Sequence, residues 1–431
     1  MIGNDIHTLA QRLWKINRSI TGEGVRETLS ILKDIIPSLK IHSVPTGTPV
    51  FDWTVPNEWK VTDAYIVTPD GEKICKFADN NLHLLGYSIP FKGRMSLSEL
   101  KNHLYTLPEQ PDAIPYITSY YKERWGFCLT HEQYESLVEG EYEVYIESEL
   151  FQGELNYGEL LIKGQSEKEI FLSTYICHPS MANNELSGPC LALALAVWLK
   201  KQNNLEYSYR FVFAPEMIGS AAVLEKYKDH FKQNVIAAFN LTCVGDNRTW
   251  SFLPSRKGHS YADKIALHCL KHHTTEFKKY SWHNRGSDES MYCAPFIDLP
   301  MVSVMRSKYE TYPEYHTSLD TIGDVVNAEG MEASLNLHKK MIRILENDCL
   351  PSALVLGEPQ LGRRNLYPMI STKGSSKSVR KRLDLISYSD ATMSLLEIAE
   401  ECDLPFEEIL DELKILKSHK VLDSLPLTHG E

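Results

Sequence analysis

Long apolar runs, paired cysteines and an excess of positive charge are all missing from this chain of 431 residues, and each absence removes a class of function. The longest apolar stretch, Cys190 to Leu199, is about half of the roughly 20 residues that a spanning helix needs, so no membrane-spanning segment is expected. The nine cysteines (Cys75, Cys128, Cys177, Cys190, Cys243, Cys269, Cys293, Cys349, Cys402) are scattered without paired spacing. That pattern argues against both a disulfide scaffold and a cysteine-based zinc knuckle and leaves most of them as small buried hydrophobes. The N-terminus, Met-Ile-Gly-Asn-Asp-Ile-His, lacks the basic then apolar pattern of a secretion signal, which makes the cytoplasm the default location. A formal net charge of −12 works against nonspecific binding to nucleic acid or to an anionic membrane. One local exception, Lys373, Lys377, Arg380, Lys381 and Arg382, reads as a solvated linker.

What is present is an ordinary soluble composition, 43% apolar, in a chain long enough for two or three domains. Residues 7 to 38 carry apolar positions at helical spacing (Leu9, Leu13, Ile16, then Val25, Leu29, Leu32, Ile35), interrupted by Ser19-Ile-Thr-Gly-Glu-Gly24, and predict two helices joined by a turn. From Ser43 to Phe127 short β-like runs are broken by Pro and Gly, with Thr-Pro-Asp70-Gly71 as a hairpin turn, so an inserted all-β subdomain is expected over 43–127. Its aromatics Trp53, Trp59, Tyr120, Tyr121 and Trp125 read as core, or alternatively as a wall of a substrate pocket. Residues 140 to 345 alternate apolar strands with helices: 158–162, 169–176, the helix 188–201, 209–214, the helix 221–228, 235–244 and 301–304. The fold class is therefore α/β, a mostly parallel sheet flanked by helices, over 1–42 and 128–348. Beyond a Pro, Gly, Ser and Lys rich linker, two short amphipathic helices and Val421-Leu422 predict a winged helix over 349–431. Its second helix, Pro405 to Lys417, carries Glu407, Glu408, Asp411 and Glu412 against Lys414 and Lys417. A helix facing phosphates needs the opposite balance, so a nucleic-acid partner is not expected despite the winged helix.

The chemistry is concentrated where apolar strands end. His178 follows the strand 170–176 and precedes Pro179, which ends strand geometry and turns the ring into a loop. Glu185 follows seven residues later, at the N-terminus of an apolar helix, where a carboxylate can be a metal ligand or simply a cap. Glu216 leaves a strand, 209–214, too apolar to tolerate an unpaired carboxylate unless solvent, a metal or a base role accounts for it. Asp246 ends the next strand, and His316 follows Pro313-Glu-Tyr. Imidazoles and carboxylates that converge at one sheet edge suit Zn²⁺ with an open coordination position in a hydrolytic site. Cys177 beside His178 is set aside as a nucleophile, because neighbours on an extended strand point to opposite faces.

The motifs Arg18-Ser-Ile-Thr-Gly-Glu23-Gly24, Phe51-Asp52-Trp53, Trp125-Gly-Phe-Cys128, Cys177-His178-Pro-Ser-Met-Ala-Asn-Asn184-Glu185-Leu-Ser-Gly188, Cys243-Val-Gly-Asp246, Arg285-Gly-Ser-Asp288-Glu289 and Tyr315-His316-Thr-Ser-Leu-Asp320 carry a resemblance. The chain resembles the bacterial aminopeptidase-like family, which joins a zinc exopeptidase domain of the leucyl aminopeptidase and glutaminyl cyclase type to an inserted β subdomain and a C-terminal winged helix. The resemblance implies that His178 and His316 are metal ligands and that Glu216 stands where the superfamily places its base and ligand glutamates. It also implies that the metal-bridging aspartate is replaced by Asn184, and that a second metal-binding aspartate aligns near Thr242. An amide cannot bridge two cations as an anion does, so one Zn²⁺ is expected rather than two, held by His178, Glu185 and His316, with Glu216 as general base; a variant in which Glu216 is itself a ligand stays open. The same likeness brings Arg285 and Asp288 near the site. Arg285 would clamp a substrate carboxylate, and Asp288 would bind an amine or orient His316. The expected activity is hydrolysis of a peptide or small amide in a specialised biosynthetic pathway. Acyl transfer or cyclisation at a single metal, and a non-catalytic assembly protein that forms a homo-oligomer or gathers partners, are the alternatives.

Overall fold

The runs Glu169–Tyr175 and Ser208–Ala214 are buried at every position, which a strand achieves only when both faces of its sheet are covered. In the structure, a computed structural model that describes residues 1–367 and 375–427, these two strands pair in parallel at the middle of an eight-stranded sheet. The sheet order is Lys40–Pro45, Glu154–Ile162, Ser208–Ala214, Glu169–Tyr175, Val235–Asn240, Met301–Met305, Ser251–Leu253, Lys278–Lys279. Glu169–Tyr175 pairs in parallel with both Ser208–Ala214 and Val235–Asn240, and the latter pairs in parallel with Met301–Met305. Four carboxyl ends therefore leave along one edge. The pairing turns antiparallel toward both sides, at Glu154–Ile162 and at Ser251–Leu253.

The helices cover this sheet. Ser187–Leu199 is buried throughout except at Val197 and Trp198, and it packs on Glu169–Tyr175. Gly3–Trp14 and Glu23–Ile35 are the two helices expected at the start; the first packs on Ser187–Leu199 and the second on Glu154–Ile162. No helix among the described residues is long and apolar enough to cross a membrane, and all nine cysteines are free.

The smaller subdomain is a four-stranded sheet ordered Lys73–Ile74, Glu58–Val67, Glu141–Phe151, Phe91–Ser96. Its expected boundary at 127 moves to 151, because Glu141–Phe151 pairs on one side with Glu58–Val67 and on the other with Phe91–Ser96. Tyr142, Val144 and Ile146 of that strand are buried in one cluster with Trp59, Ile66 and Trp125. The start moves as well, since Lys40–Pro45 pairs with Glu154–Ile162 in the large sheet. Trp59 and Trp125 are buried core residues, whereas Tyr121 is exposed.

The chain divides into two compact units, Met1–Ala262 with Lys278–Asn336 and Asp263–Phe277 with Leu337–Glu431. The second unit contains the expected winged helix: Ser375–Ser387, Leu395–Glu401 and Phe406–Ser418 with a two-stranded sheet of Cys349–Ala353 against Leu422–Pro426. The compact unit is larger than the winged helix itself, starting at Leu337 and taking in Asp263–Phe277. The stretch after Leu350 is thus a strand before it is a linker. Lys373 and the side chain of Lys377 lie outside the described residues. The rest of the basic run is helical: Lys381 pairs with Glu408 at 3.3 Å, Arg382 with the buried Glu412, and Arg380 with Asp384 at 2.9 Å. Much of the acidity of the second helix is answered inside the unit.

Candidate metal centre

The strand Glu169–Tyr175 ends two residues before Cys177, and the chain passes through Pro179 into a wide turn at Ala182–Leu186 that feeds the helix Ser187–Leu199. This brings Glu185 back under His178. One oxygen, Oε2, accepts from the His178 backbone N–H at 2.8 Å and lies 2.9 Å from Nδ1. The other, Oε1, accepts from Arg18 Nε at 3.1 Å, and the same Nε also donates to His178 O. Arg18 comes from the turn between the first two helices, and both it and Glu185 are fully buried. Burial pulls the His178 pKa down, but the hydrogen bond and charge of Glu185, with the charge of Glu216, outweigh it and leave it raised.

With Nδ1 occupied, Nε2 of His178 faces outward, 3.7 Å from Glu216 Oε2. Glu216 follows Ser208–Ala214; its other oxygen accepts from Ser287 Oγ at 2.7 Å, and its backbone N–H points at Cys177 Sγ at 3.2 Å. Burial raises the Glu216 pKa against the pull of His178. The His316 ring lies 5.3 Å from that of His178, with Tyr315 stacked on it at 3.9 Å. Its Nε2 is buried and has no hydrogen-bond partner. Burial and the neighbouring His178 push the His316 pKa down to about 3, which favours the neutral ring. Met217, Cys243 and His316 all have φ between 51° and 61°. Left-handed backbone at non-glycine residues costs on the order of 1–3 kcal/mol and clusters where a site must be held in one geometry.

Asn184 and Thr242, where the resemblance places the aspartates of a second metal, are bonded to Tyr175 and to each other. Tyr175 OH bonds both Asn184 Oδ1 at 3.0 Å and Thr242 Oγ1 at 2.6 Å, and Thr242 Oγ1 donates to Asn184 O. Asn184 Nδ2 has no hydrogen-bond partner, so the residue presents an amide donor where an anion would be needed.

The remaining expected site residues stand elsewhere. Asp288 does not reach His316; its Oδ1 accepts from Met217 N at 2.7 Å and so pins the backbone after Glu216. Burial, with the charge of Glu216, pushes its pKa up to about 8. Arg285 is exposed, donates to Trp282 O and stacks on the Trp282 ring at 5.2 Å, so it takes no part in the cluster. Asp320 accepts from Asn183 N and Asn184 N and holds their loop. Cys177 Sγ lies 3.4 Å from His178 Nδ1, because both residues stand past the strand end, where alternation no longer applies. Burial pushes that thiol well above its ordinary pKa, which keeps it protonated and a poor nucleophile.

Two contributors had no sequence signal of their own. Arg18 lay in a quoted motif without a role. Tyr116, from the β subdomain, donates its backbone N–H to His316 O at 2.9 Å, and its ring stands 5.1 Å from His178 and 5.2 Å from His316. Pro115 bridges to Thr317, and Ser318 N donates to Ile114 O at 2.9 Å, so the subdomain is stitched to the His316 loop.

The comparisons with known proteins agree with this architecture. A model of a domain of unknown function, DUF4910, matches residues 7–348, and a winged helix-turn-helix model matches residues 350–424. A protein of Clostridium acetobutylicum, named as a candidate polysaccharide biosynthesis protein with an aminopeptidase-like domain, is 43% identical over 413 residues, 94% of this chain and 93% of that one. The crystal structure of a candidate peptidase from Clostridium acetobutylicum superposes with a TM-score of 0.92 at 40% identity, over 98% of this chain and 96% of the other. A zinc aminopeptidase from Bacillus subtilis shares the fold at a TM-score of 0.58 and 12% identity, over 80% of this chain and 95% of the other. The chain belongs to the DUF4910 family: its α/β domain shares the fold of zinc aminopeptidases, and a winged helix follows it.

Proposed function

We propose that this protein is a single-metal, aminopeptidase-like hydrolase of a peptide or small amide, acting in a specialised biosynthetic pathway. One observation carries the reading: the His316 ring lies 5.3 Å from that of His178, whose Nε2 is 3.7 Å from Glu216 Oε2, and the buried His316 Nε2 has no hydrogen-bond partner. A buried acceptor left unsatisfied beside a second imidazole and a carboxylate is the donor set that zinc takes with one position open. The residues present therefore fit the metal. When bound, the ion would supply Lewis acidity toward a carbonyl and toward water.

Glu185, expected as a ligand, takes a different part here. Cys177 Sγ, His178 Nδ1 and Glu185 do lie within 4.8 Å of one another. Both Glu185 oxygens, however, already receive protons from Arg18 and from the His178 N–H groups. Glu185 thus fixes the tautomer of His178 and directs Nε2 to the metal, as outer carboxylates do for metal-bound histidines. Glu216 fills the ligand place and is also the nearest acceptor for the proton of the attacking water. It returns that proton to the nitrogen as the C–N bond breaks. Asp288 acts on Glu216 through the backbone of Met217. The pathway assignment draws on the name of the Clostridium acetobutylicum relative.

Metal analysis of protein purified without chelators tests the reading. About one equivalent of zinc is expected, falling sharply in His178→Ala, His316→Ala and Glu216→Ala. Content well below one equivalent, unchanged by those substitutions, would sink it. Turnover in ¹⁸O-labelled water separates hydrolysis from acyl transfer, since only hydrolysis places the label in the released acid.

A further inference from the structure

A cavity of about 640 Å³ opens beside His316, within the size range of small-molecule sites. Tyr105, Tyr116, Tyr134 and Tyr315 line it, with His131 and Gln110 among the polar residues. None of its lining residues is Lys, Arg, Asp or Glu. Charges close to the lining are Lys101, whose ammonium sits over the Tyr134 ring at 5.2 Å, Arg124, over the Tyr105 ring at 5.9 Å, and Glu135, which lies 3.7 Å from His131 Nε2 and is mostly exposed.

The carboxylates around the site are just as informative. A substrate with a free α-amine brings an ammonium ion into a buried place, and such a charge needs an anionic partner. Glu185 is taken by Arg18 and His178. Glu289 accepts from Gly286 N, Ser287 N, Tyr309 OH and Asn240 Nδ2. Asp320 holds Asn183, Asn184 and Tyr312, and Asp246 holds Asn183, Arg248 and Ser307. Asp288 ties Oδ1 to Met217 N, and its Oδ2, without a hydrogen-bond partner, is fully buried away from the cavity lining. Glu216 holds Oε2 3.7 Å from His178 Nε2 and is part-exposed, and it cannot be metal ligand, proton carrier and ammonium partner at once.

We propose that the cavity seats an uncharged, hydroxylated ring, a sugar, so that the substrate is the N-acyl amide of an amino sugar and not a peptide with a free N-terminus. Such a ring offers an apolar face to the tyrosines and edge hydroxyls to His131, Gln110 and Thr106, which itself lies 3.1 Å from His131 Nδ1. The placement of the scissile amide rests on the hydrolase reading. Water adds its oxygen to the acyl carbon, the C–N bond breaks, and the products are a carboxylic acid and the free amino sugar. The affinity of the cavity for the ring does not depend on that chemistry.

Saturation-transfer NMR on the full chain tests the two parts separately, with N-acetylglucosamine as probe, and with Tyr134→Ala and Tyr134→Phe as variants. Transfer to the ring protons is expected in the wild type and in Tyr134→Phe, with affinity about tenfold weaker in Tyr134→Ala, the scale of losing one aromatic contact. Thermal melts confirm that both variants fold. The zinc-loaded protein should also release acetate from N-acetylglucosamine faster than it cleaves leucine 4-nitroanilide. Sugar binding without any turnover would remove the hydrolase reading and leave this one standing. No transfer to the sugar in the wild type, or preferential cleavage of the leucine substrate, would overturn the proposal.

Discussion

Replacing Glu185 with Gln tests the support beneath the metal centre. The side chain is fully buried, as is its partner Arg18. After the substitution the guanidinium keeps only carbonyl acceptors, His178 O and Leu13 O, and its Nη2 has no hydrogen-bond partner to begin with. Breaking a buried pair by removing one partner leaves an uncompensated charge, which costs about 3–5 kcal/mol. The same change leaves one uncharged oxygen where two carboxylate oxygens served Arg18, His178 N and His178 Nδ1, so the hold on Nδ1 weakens and zinc affinity should fall roughly 10- to 100-fold, as when outer partners of metal histidines are lost. Urea unfolding measures the first effect and competition with a fluorescent chelator the second. The double variant Arg18→Met/Glu185→Gln removes the stranded charge and should recover much of the stability while leaving zinc affinity low. Loss of metal as complete as in His178→Ala would make Glu185 a direct ligand. Unchanged affinity would mean that Nδ1 is not held by it at all. Either result refutes the assignment.

Gly188→Ala should destabilise the first unit by about 1–3 kcal/mol, because the added Cβ would lie 2.2 Å from Leu241 O and 2.4 Å from Thr174 Oγ1, both packed beneath the turn that carries Glu185. A urea midpoint indistinguishable from wild type would contradict this. In the second unit, His268 accepts from Phe406 N at 3.0 Å through Nε2 while Nδ1 bonds Glu400. Burial, offset in part by Glu400, pushes the His268 pKa below the ordinary 6.5. The unfolded chain then takes up a proton first on acidification, so the stability this group contributes is present above about pH 6.5 and is lost as the pH falls below it. Glu400, held below the usual carboxylate range by His268 and Lys271 against the opposing effect of burial, adds loss of the same sign at lower pH. Unfolding of the full chain followed from pH 7.5 to pH 5 should show this loss, with a smaller slope in His268→Gln. An equal slope in that variant would refute it.

The alternation of apolar strands and helices from Glu169 to Met305 was legible because each strand is buried on both faces and reads as a continuous apolar run. Glu141–Phe151 escaped, since its inward residues, Tyr142, Val144 and Ile146, alternate with glutamates and a half-buried tyrosine, a pattern equally at home at the edge of either domain. His178, Glu216 and His316 stood out as polar residues at strand ends. Which side of His178 Glu185 would meet depended on the wide turn Ala182–Leu186, whose geometry no residue type announces. Arg18 and Tyr116 reach the site from 160 and 62 residues away in the chain relative to His178, and only tertiary packing supplies that proximity. Arg285 was placed by analogy, and its exposed stacking on Trp282 shows how little a motif says about the direction of a long side chain.

The stitching of Ile114–Tyr116 to Thr317–Ser318 has a consequence for how this protein can be cut or recombined. The β subdomain looks like a removable cassette in the linear chain, yet it supplies a backbone hydrogen bond to His316 and a ring that stands against both histidines. A chain trimmed to the large sheet would keep His178, Glu216 and His316 and still lose the brace that fixes the last of them. Swapping subdomains between relatives would likewise exchange part of the proposed metal centre along with the pocket wall, so on that reading substrate range and metal affinity change together.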